Sequence, residues 1–318
     1  MKLINKKNLL TVTFAVAMGP VLAQASDDAE VNGFVDIIAN SDAAVVFGAD
    51  AEVDVSKKIG SVTVRADMDA NLAANGGASV GGEDSGRIEQ AYFAWAANQS
   101  VTVLGGLFNN PIGQELEDAP DMDFTSHSVT WNILDGQTAL YGNNVAGIAA
   151  AAVVGPATIT LAVVDDLGLA ASTSGKGKTS TAIVVNASPM KALDLELGYV
   201  TQDGQAENVT DINAKYSAGA FTVGLDYLIA DKVVDSAANL WLGFDVNDKL
   251  NLKARFESVS FEATGMDDST RTTVYATYAI NDNLSAALEN SSGDNASGEP
   301  VSGIVDDSIT TLEFIGTF

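Results

Sequence analysis

Residues Val62–Asp69 read VTVRADMD, a stretch in which apolar and polar side chains alternate at every step. Because successive side chains of a β-strand point to opposite faces, this period of two predicts a strand with one apolar face and one polar, charged face. The same alternation recurs in further stretches: Ala49–Val55, Ala157–Val163, Leu193–Tyr199, Phe221–Tyr227, Leu250–Glu257, Thr272–Tyr278 and Leu284–Glu289. The pattern predicts an all-β protein.

The connectors between these stretches are of two kinds. Short turns such as Asn247–Lys249 alternate along the chain with longer polar segments such as 165–179 and 291–307. This sorting is typical of antiparallel β-barrels in bacterial outer membranes, which have an even number of strands. We predict about sixteen transmembrane strands, with fourteen as the alternative because 31–40 and 180–187 are weakly patterned. The predicted strands lie near residues 29–39, 43–55, 61–72, 87–97, 101–108, 144–154, 157–165, 180–187, 193–201, 208–217, 220–230, 237–246, 249–261, 270–280, 283–290 and 307–318.

Composition narrows the classes of function. The chain carries 42 acidic and 16 basic side chains, a formal net charge of −26, and would therefore repel nucleic-acid phosphates. It contains no cysteine, which excludes disulfide scaffolds, thiolate metal sites and cysteine nucleophiles. Its single histidine, His127, leaves little material for histidine-based metal sites or acid–base catalysis. We expect no nucleic-acid partner, no cofactor, no metal and no enzymatic activity.

The first residues form a targeting pattern. Met1–Asn8 carries three lysines and no acid, Leu9–Leu22 is almost entirely apolar, and Ala23–Ala25 supplies small residues at a cleavage point. A basic start, a short apolar core and a small-x-small ending are typical of secretory signal peptides. We therefore predict residues 1–25 as a signal peptide and residues 26–318 as the barrel. An N-terminal membrane anchor is the alternative, although the apolar stretch is short for a bilayer span.

Charged side chains of a membrane barrel should face its interior, since Lys or Arg on the lipid face near the midplane costs roughly 2–4 kcal/mol. The residues predicted to line the pore wall are Asp50, Glu52, Asp54, Arg65, Asp67, Arg87, Glu196, Asp226, Lys253, Arg255, Glu257 and Arg271. At about sixteen strands the interior is too wide for side chains to fill, so an aqueous channel is expected. The aromatic residues expected at the membrane–water interfaces are Tyr92, Tyr199, Tyr216, Tyr227, Phe244 and Tyr278.

One connector, Asn109–Asn143, is far longer than the others. Loops of this length are uncommon in compact domains and are usually functional. Its middle carries five carboxylates: Glu115, Glu117, Asp118, Asp121 and Asp123. An acidic solvated loop is one interpretation. The other is that this loop, the third on its side of the barrel, folds into the lumen and narrows it.

Two further patterns in the chain are weaker. Ser126-His127-Ser128 combines a nucleophile with a base, but sequence neighbours in a loop rarely form the hydrogen-bonded geometry that catalysis needs. Paired acids such as Asp267-Asp268 lack the spacing, the glycine and the closing glutamate of a calcium-binding loop. We interpret both patterns as ordinary loop residues.

The chain ends on an alternating strand, Thr310–Phe318, that places Leu312, Phe314 and Phe318 on one face. A final aromatic residue on such a strand resembles the C-terminal signal that outer-membrane barrels present to their assembly machinery. We predict that these three residues form that signal.

Three consecutive stretches carry a family resemblance: Arg87–Phe93 (RIEQAYF), Val101–Phe108 (VTVLGGLF) and Asn109–Glu115 (NNPIGQE). Through them the chain resembles the Gram-negative outer-membrane porins, both general-diffusion and beta-barrel porins, most closely over residues 87–165. The resemblance implies a homotrimer of water-filled barrels in the bacterial outer membrane, with the third external loop folded inside each barrel. It also implies contact with outer-membrane lipid and lipopolysaccharide, with the barrel-assembly machinery and with small hydrophilic solutes.

We therefore expect passive diffusion of small hydrophilic solutes and ions, narrowed by the five loop carboxylates. The wall bases expected to face them are Arg65, Arg87, Lys253, Arg255 and Arg271. Leu107 stands where these porins usually carry Arg or Lys, which leaves the basic side thin. Because rings of Asp or Glu favour cations through their field, we expect a cation preference.

Two alternatives to a general channel stay open. One is a substrate-specific porin, for example for sugars, although Trp95, Trp131 and Trp241 are too scattered in sequence to indicate an aromatic path. The other is a non-conducting barrel that serves as a scaffold or adhesin.

Overall fold

Sixteen strands form a closed antiparallel barrel within the part of the chain that the structure, a computed structural model, describes. The described residues are 28–42, 46–69, 87–113, 115–136, 143–165, 179–201, 208–231, 234–261, 267–295 and 303–318, so the predicted signal peptide lies outside them. Each strand pairs with its neighbours in sequence, and the last strand pairs with the first. The predicted fold class is confirmed.

The strands are β1 (Glu30–Asn40), β2 (Phe47–Ile59), β3 (Val62–Asp69), β4 (Arg87–Ala96), β5 (Val101–Asn109), β6 (Asn144–Val154), β7 (Ala157–Asp165), β8 (Thr179–Met190), β9 (Leu193–Thr201), β10 (Asn208–Ala218), β11 (Phe221–Ala230), β12 (Val234–Asp245), β13 (Leu250–Ser260), β14 (Ser269–Asn281), β15 (Leu284–Asp294) and β16 (Ser308–Thr317). A helix, α1 (Val129–Asp135), lies among the described residues of the connector between β5 and β6.

Short and long connectors alternate as the sequence predicted. Several turns at one end of the barrel contain two residues, and Gly60, Gly155 and Gly219 each lie in such a turn with φ of 62°. This left-handed conformation favours glycine and lets the chain reverse within two residues. The tight turn at Gly60 also explains why β2 extends to Ile59, four residues beyond the predicted end at 55. Lys57–Ile59 remain paired with β3 up to the turn.

Alternation along each strand separates an apolar outer surface from a polar interior. On β9, for example, Leu195, Leu197 and Tyr199 are 37, 51 and 40% exposed, whereas the intervening Glu196 and Gly198 are buried. Acids and arginines on the inner face and apolar side chains on the outer face are the arrangement of a membrane-spanning barrel.

Five of the six aromatic residues predicted at the membrane–water interfaces are exposed on the outer surface: Tyr199, Tyr216, Tyr227, Phe244 and Tyr278. Tyr92 was predicted wrongly, because it pairs with Arg65 across β3 and β4 and packs against the inner apolar cluster. The cause is a β-bulge: the pairing shifts between Asp67 and Met68, so Glu89 and Gln90 both point inward and the alternation reverses before Tyr92.

Helix α1 begins at a serine cap. The Oγ of Ser128 accepts a hydrogen bond from the backbone N–H of Trp131 at 3.1 Å, which satisfies one of the free amides at a helix start. Seven residues are too few to show a helical period, so this helix was not predicted. No helix in the described part of the chain is long and apolar enough to cross a membrane.

Candidate functional site

The connector between β5 and β6 lies inside the barrel. Its backbone amides donate hydrogen bonds to carboxylates on three separate strands: Gly113 to Glu196 on β9, Val129 to Glu257 on β13, and Thr125 to Glu289 on β15, at 2.8, 2.8 and 3.0 Å. Because these strands lie apart around the ring, a segment that reaches all of them must cross the interior. We call the described residues 110–113 and 115–136 the inner loop; it is the third connector at the long-connector end.

Apolar packing fixes the start of the inner loop. Ile112 is 1% exposed and belongs to the same buried cluster as Phe108 and Val145 on the wall. Its side chain occupies the space directly above Gly198 on β9, where an added Cβ would lie 2.6 Å from Ile112 Cγ1. The absence of a side chain at Gly198 therefore leaves the space that Ile112 of the loop occupies.

Two buried arginines support the segment that precedes α1. Arg271 donates to the carbonyl of His127 and to the carboxylate of Glu257, both at 2.5 Å. Arg255 donates to the carbonyl of Ser126 at 3.0 Å. Both arginines are 2% exposed. Because a buried charge is destabilising unless it is paired and hydrogen-bonded, these bases act as supports of the loop.

Asp123 attaches the middle of the loop to two lysines of the wall. Its carboxylate oxygens lie 2.9 Å from Lys215 Nζ on β10 and 2.8 Å from Lys253 Nζ on β13. Burial alone would raise the pKa of Asp123, but the two ammonium groups outweigh burial and hold the pKa below its ordinary value. The loop and the wall are thus joined here by an ion pair.

An aromatic cluster lies beside this ion pair. Phe124 packs edge-on against Trp241 with ring centroids 6.2 Å apart, and at a tilt against Tyr275 with centroids 5.4 Å apart. Lys253 Nζ lies 5.4 Å from the Trp241 ring centroid. Trp241, which stood isolated in the sequence, therefore lines a cleft between the inner loop and the wall.

Glu115 is held on the helix side of the loop. Its carboxylate accepts from the backbone N–H of Ser128 at 3.0 Å and lies 2.8 Å from His127 Nδ1. Burial raises the pKa of Glu115, but His127 and Arg255 lower it by more than burial raises it, so the pKa is below its ordinary value. The Oγ of Ser126 accepts from Arg255, and that of Ser128 caps α1, so both hydroxyls take part in holding the loop.

Glu117 and Asp118 face acids of the wall, contrary to the expectation that the loop carboxylates meet bases. The Glu117 carboxyl lies against Glu89 on β4, and the Asp118 carboxyl lies against Glu52 on β2. Burial is the main cause that raises the pKa of both loop acids, and the charge of Glu89 raises it further. The expectation failed because the wall side chains that these two loop acids meet, Glu89 and Glu52, are themselves acids on the inner face.

Arg65, on β3, is a base on the same side of the barrel wall as these acids. Its Nε lies 2.7 Å from a carboxylate oxygen of Asp67, and its Nη2 lies 3.2 Å from Asp54. Asp121, the remaining predicted loop acid, stabilises a turn through its backbone N–H, which donates to the Asp118 carbonyl at 2.8 Å.

Most predicted wall residues lie on the inner face: Asp50, Glu52, Asp54, Arg65, Asp67, Glu196, Asp226, Lys253, Arg255, Glu257 and Arg271. Arg87 begins β4, but its side chain lies outside the described part of the structure. Sequence reasoning missed further inner acids: Asp36, Glu89, Asp211, Glu289 and Glu313. The alternation of β16 could have indicated Glu313, because its neighbours Leu312 and Phe314 are outward.

The predicted assembly residues lie at the closing seam of the barrel. Leu312 and Phe314 are each 40% exposed on the outer face of β16. The backbone N–H of Phe318 donates to the carbonyl of Gly33 on β1 at 3.1 Å. The Phe318 ring covers Gly33 so closely that an added Cβ would lie 2.6 Å from it.

Comparison with known proteins gives a family and a fold. The family model described as "Putative beta-barrel porin-2, OmpL-like" matches residues 14–289. Among similar solved structures are two variants of the porin from Rhodopseudomonas blastica, a double mutant with a TM-score of 0.66 and a triple mutant with 0.64. Both are 16% identical, and each match covers 92% of this chain and 100% of the other, a likeness that concerns the fold. No curated protein matches this chain.

Proposed function

Because this chain belongs to the family described as "Putative beta-barrel porin-2, OmpL-like", we propose that it forms a water-filled channel through the bacterial outer membrane. Small hydrophilic solutes and ions cross this channel by passive diffusion. The inner loop narrows the channel, and the charges around the loop give it a preference for cations.

The unequal use of the inner charges supports the cation preference. The bases around the inner loop are occupied, since Lys215 and Lys253 bind Asp123, and Arg255 and Arg271 bind loop carbonyls. The acids opposite them face one another: Glu52, Asp69, Glu89, Glu117 and Asp118. Acidic groups that border a pore favour cations through their field.

Reversal potentials in planar bilayers test this proposal. In a KCl gradient we expect a reversal potential that corresponds to a K⁺/Cl⁻ permeability ratio above one. We expect the double variant Glu117→Gln, Asp118→Asn to lower this ratio. The control variant Asp248→Asn removes a negative charge from an exposed short turn and should leave the permeability ratio unchanged. A wild-type channel that prefers Cl⁻ would contradict the cation preference, and a barrel without conductance would contradict the channel.

The proposal includes maturation and assembly. We propose cleavage after Ala25, recognition of Leu312, Phe314 and Phe318 by the barrel-assembly machinery, and a homotrimer surrounded by outer-membrane lipid and lipopolysaccharide. The apolar outer surface of the barrel supports the membrane location. Intact-mass measurement and crosslinking of protein from outer-membrane fractions would test the cleavage point and the trimer.

A further inference from the structure

We propose that the inner face carries a divalent-cation site between β2–β4 and the inner loop, with calcium as the ion that its ligands suit. The ligands are the carboxylates of Glu52 on β2, Asp69 on β3, Glu89 on β4 and Glu117 on the loop. The site goes beyond the proposed channel function, because binding of the ion does not require that the barrel conduct.

The spacing of the wall carboxylates fits a single ion. One carboxylate oxygen from each of Glu52, Asp69 and Glu89 lies within 4.8 Å of the other two. Calcium binds oxygen ligands at about 2.3–2.6 Å, so two oxygens on the same ion are at most about 5 Å apart. The three wall residues can therefore share one ion, and Glu117 faces Glu89 from the loop as a fourth ligand.

The bulge in β4 produces this spacing. The shift in pairing beside Glu89 turns both Glu89 and Gln90 inward, and they are 2 and 5% exposed. Without the bulge, strict alternation would place one of the two on the apolar outer surface. Bulges commonly re-aim a side chain at functional sites.

Unpartnered oxygens provide the second, independent observation. Oε1 of Glu89 accepts a hydrogen bond from Asn144 at 3.2 Å, but its buried Oε2 has no partner among the described residues. The buried Oε2 of Glu117 likewise has none within that part of the chain. A buried polar atom without a partner is costly, and a cation between the carboxyl groups would satisfy both oxygens.

Charge balance points the same way. Arg65, on the same strand as Asp69, is engaged by Asp54 and Asp67. A shared proton or a bound cation can relieve the repulsion between facing carboxylates. Flexible coordination by six to eight oxygens favours calcium over magnesium, which demands near-ideal octahedral geometry and retains waters.

Calorimetric titration of CaCl₂ into the refolded mature barrel in detergent, after treatment with EDTA, tests the site at neutral pH. We expect one saturable binding event that Glu89→Gln and Glu117→Gln each weaken by about tenfold or more. Asp248→Asn, on an exposed short turn, should bind calcium as the wild type does. Absence of saturable binding would overturn the proposal and would favour proton sharing between the carboxyl groups.

Two controls address misfolding of the variants and the charge of Arg87. The difference in gel mobility between heated and unheated samples reports whether each variant is folded. If Glu89→Gln fails to fold, Glu117→Gln still tests the site, because Glu117 lies on the loop and its replacement changes no strand. Arg87 is opposite Asp69 in the strand register. If the charge of Arg87 already compensates these carboxylates, calcium will bind to the Arg87→Gln variant and not to the wild type. That result would also overturn the proposal. Conductance in KCl with EDTA tests the channel independently of the ion.

Discussion

Asp123 is a single side chain that joins the inner loop to two strands. Its pKa lies below the ordinary value of about 3.9, so the ionised form is favoured in the folded protein. A group with a depressed pKa stabilises the folded state fully above its unfolded-state pKa, and this contribution is lost as the pH falls through the folded-state pKa. The attachment of the loop should therefore hold at neutral pH and weaken only in strong acid.

Replacing one of the two lysines should make this attachment more sensitive to acid. In Lys253→Gln the pKa of Asp123 rises toward its ordinary value, because one of the charges that lowers it is gone. Acid titration followed by tryptophan fluorescence, to which nearby Trp241 contributes, should show the transition at higher pH than in the wild type. Lys191→Gln, in an exposed short turn, serves as the control. An unchanged midpoint in Lys253→Gln would show that Asp123 does not depend on this lysine.

At the level of residues, the sequence predicted which face of the barrel a side chain occupies better than which group it meets. Glu196 and Arg255 lie inside as their strands' alternation required. Gln90 and Tyr92 did not follow, because the pattern carries no signal of the β4 bulge. The partner of Glu117, Glu89, lies at that bulge, whereas Asp118 meets Glu52 on β2.

Length and acidity distinguished the inner loop in the sequence, and the family resemblance implied that it folds inward. Its path depends on contacts with strands far away in sequence, such as those of Gly113 with Glu196 and Val129 with Glu257. No local pattern encodes such pairs, and helix α1 is too short to show a period. The strands were predicted well because their period of two is local.

Deleting residues 115–123 should raise the single-channel conductance, because this segment occupies the interior. The deletion also removes the carboxylate of Asp123 that compensates the charges of Lys215 and Lys253, so the cation preference should fall. Single-channel recording in KCl measures both effects. Deletion of residues 168–176, an equal length from the connector between β7 and β8, is the control. Unchanged conductance in the first variant would place the segment outside the conducting path.

At the scale of the whole molecule, stability rests on an outer surface that is apolar all around the ring. Side chains such as Leu197, which would be a liability in water, face hydrocarbon in a membrane. Every strand has a hydrogen-bonded neighbour on each side, because the ring has no open edge.

A charge on this outer surface should destabilise the barrel according to its depth. We expect Leu197→Arg, near the middle of β9, to lower the free energy of unfolding in lipid vesicles by about 2–4 kcal/mol. Val246→Arg, at the short-turn end beyond β12, should cost about 0–1 kcal/mol. Urea titrations measure both values. Equal costs at the two positions would mean that this surface does not face a bilayer.

The pairing of β1 with β16 also bears on biogenesis. Ile37 and Phe314 are partners although they come from opposite ends of the described chain, so the ring cannot be completed until nearly all of the polypeptide has been synthesised. Until then both terminal strands present unsatisfied amides and carbonyls, which hydrocarbon does not tolerate and which invite pairing with other chains. Closure of the ring, and with it the loss of both exposed edges, therefore depends on the pairing of β16 with β1.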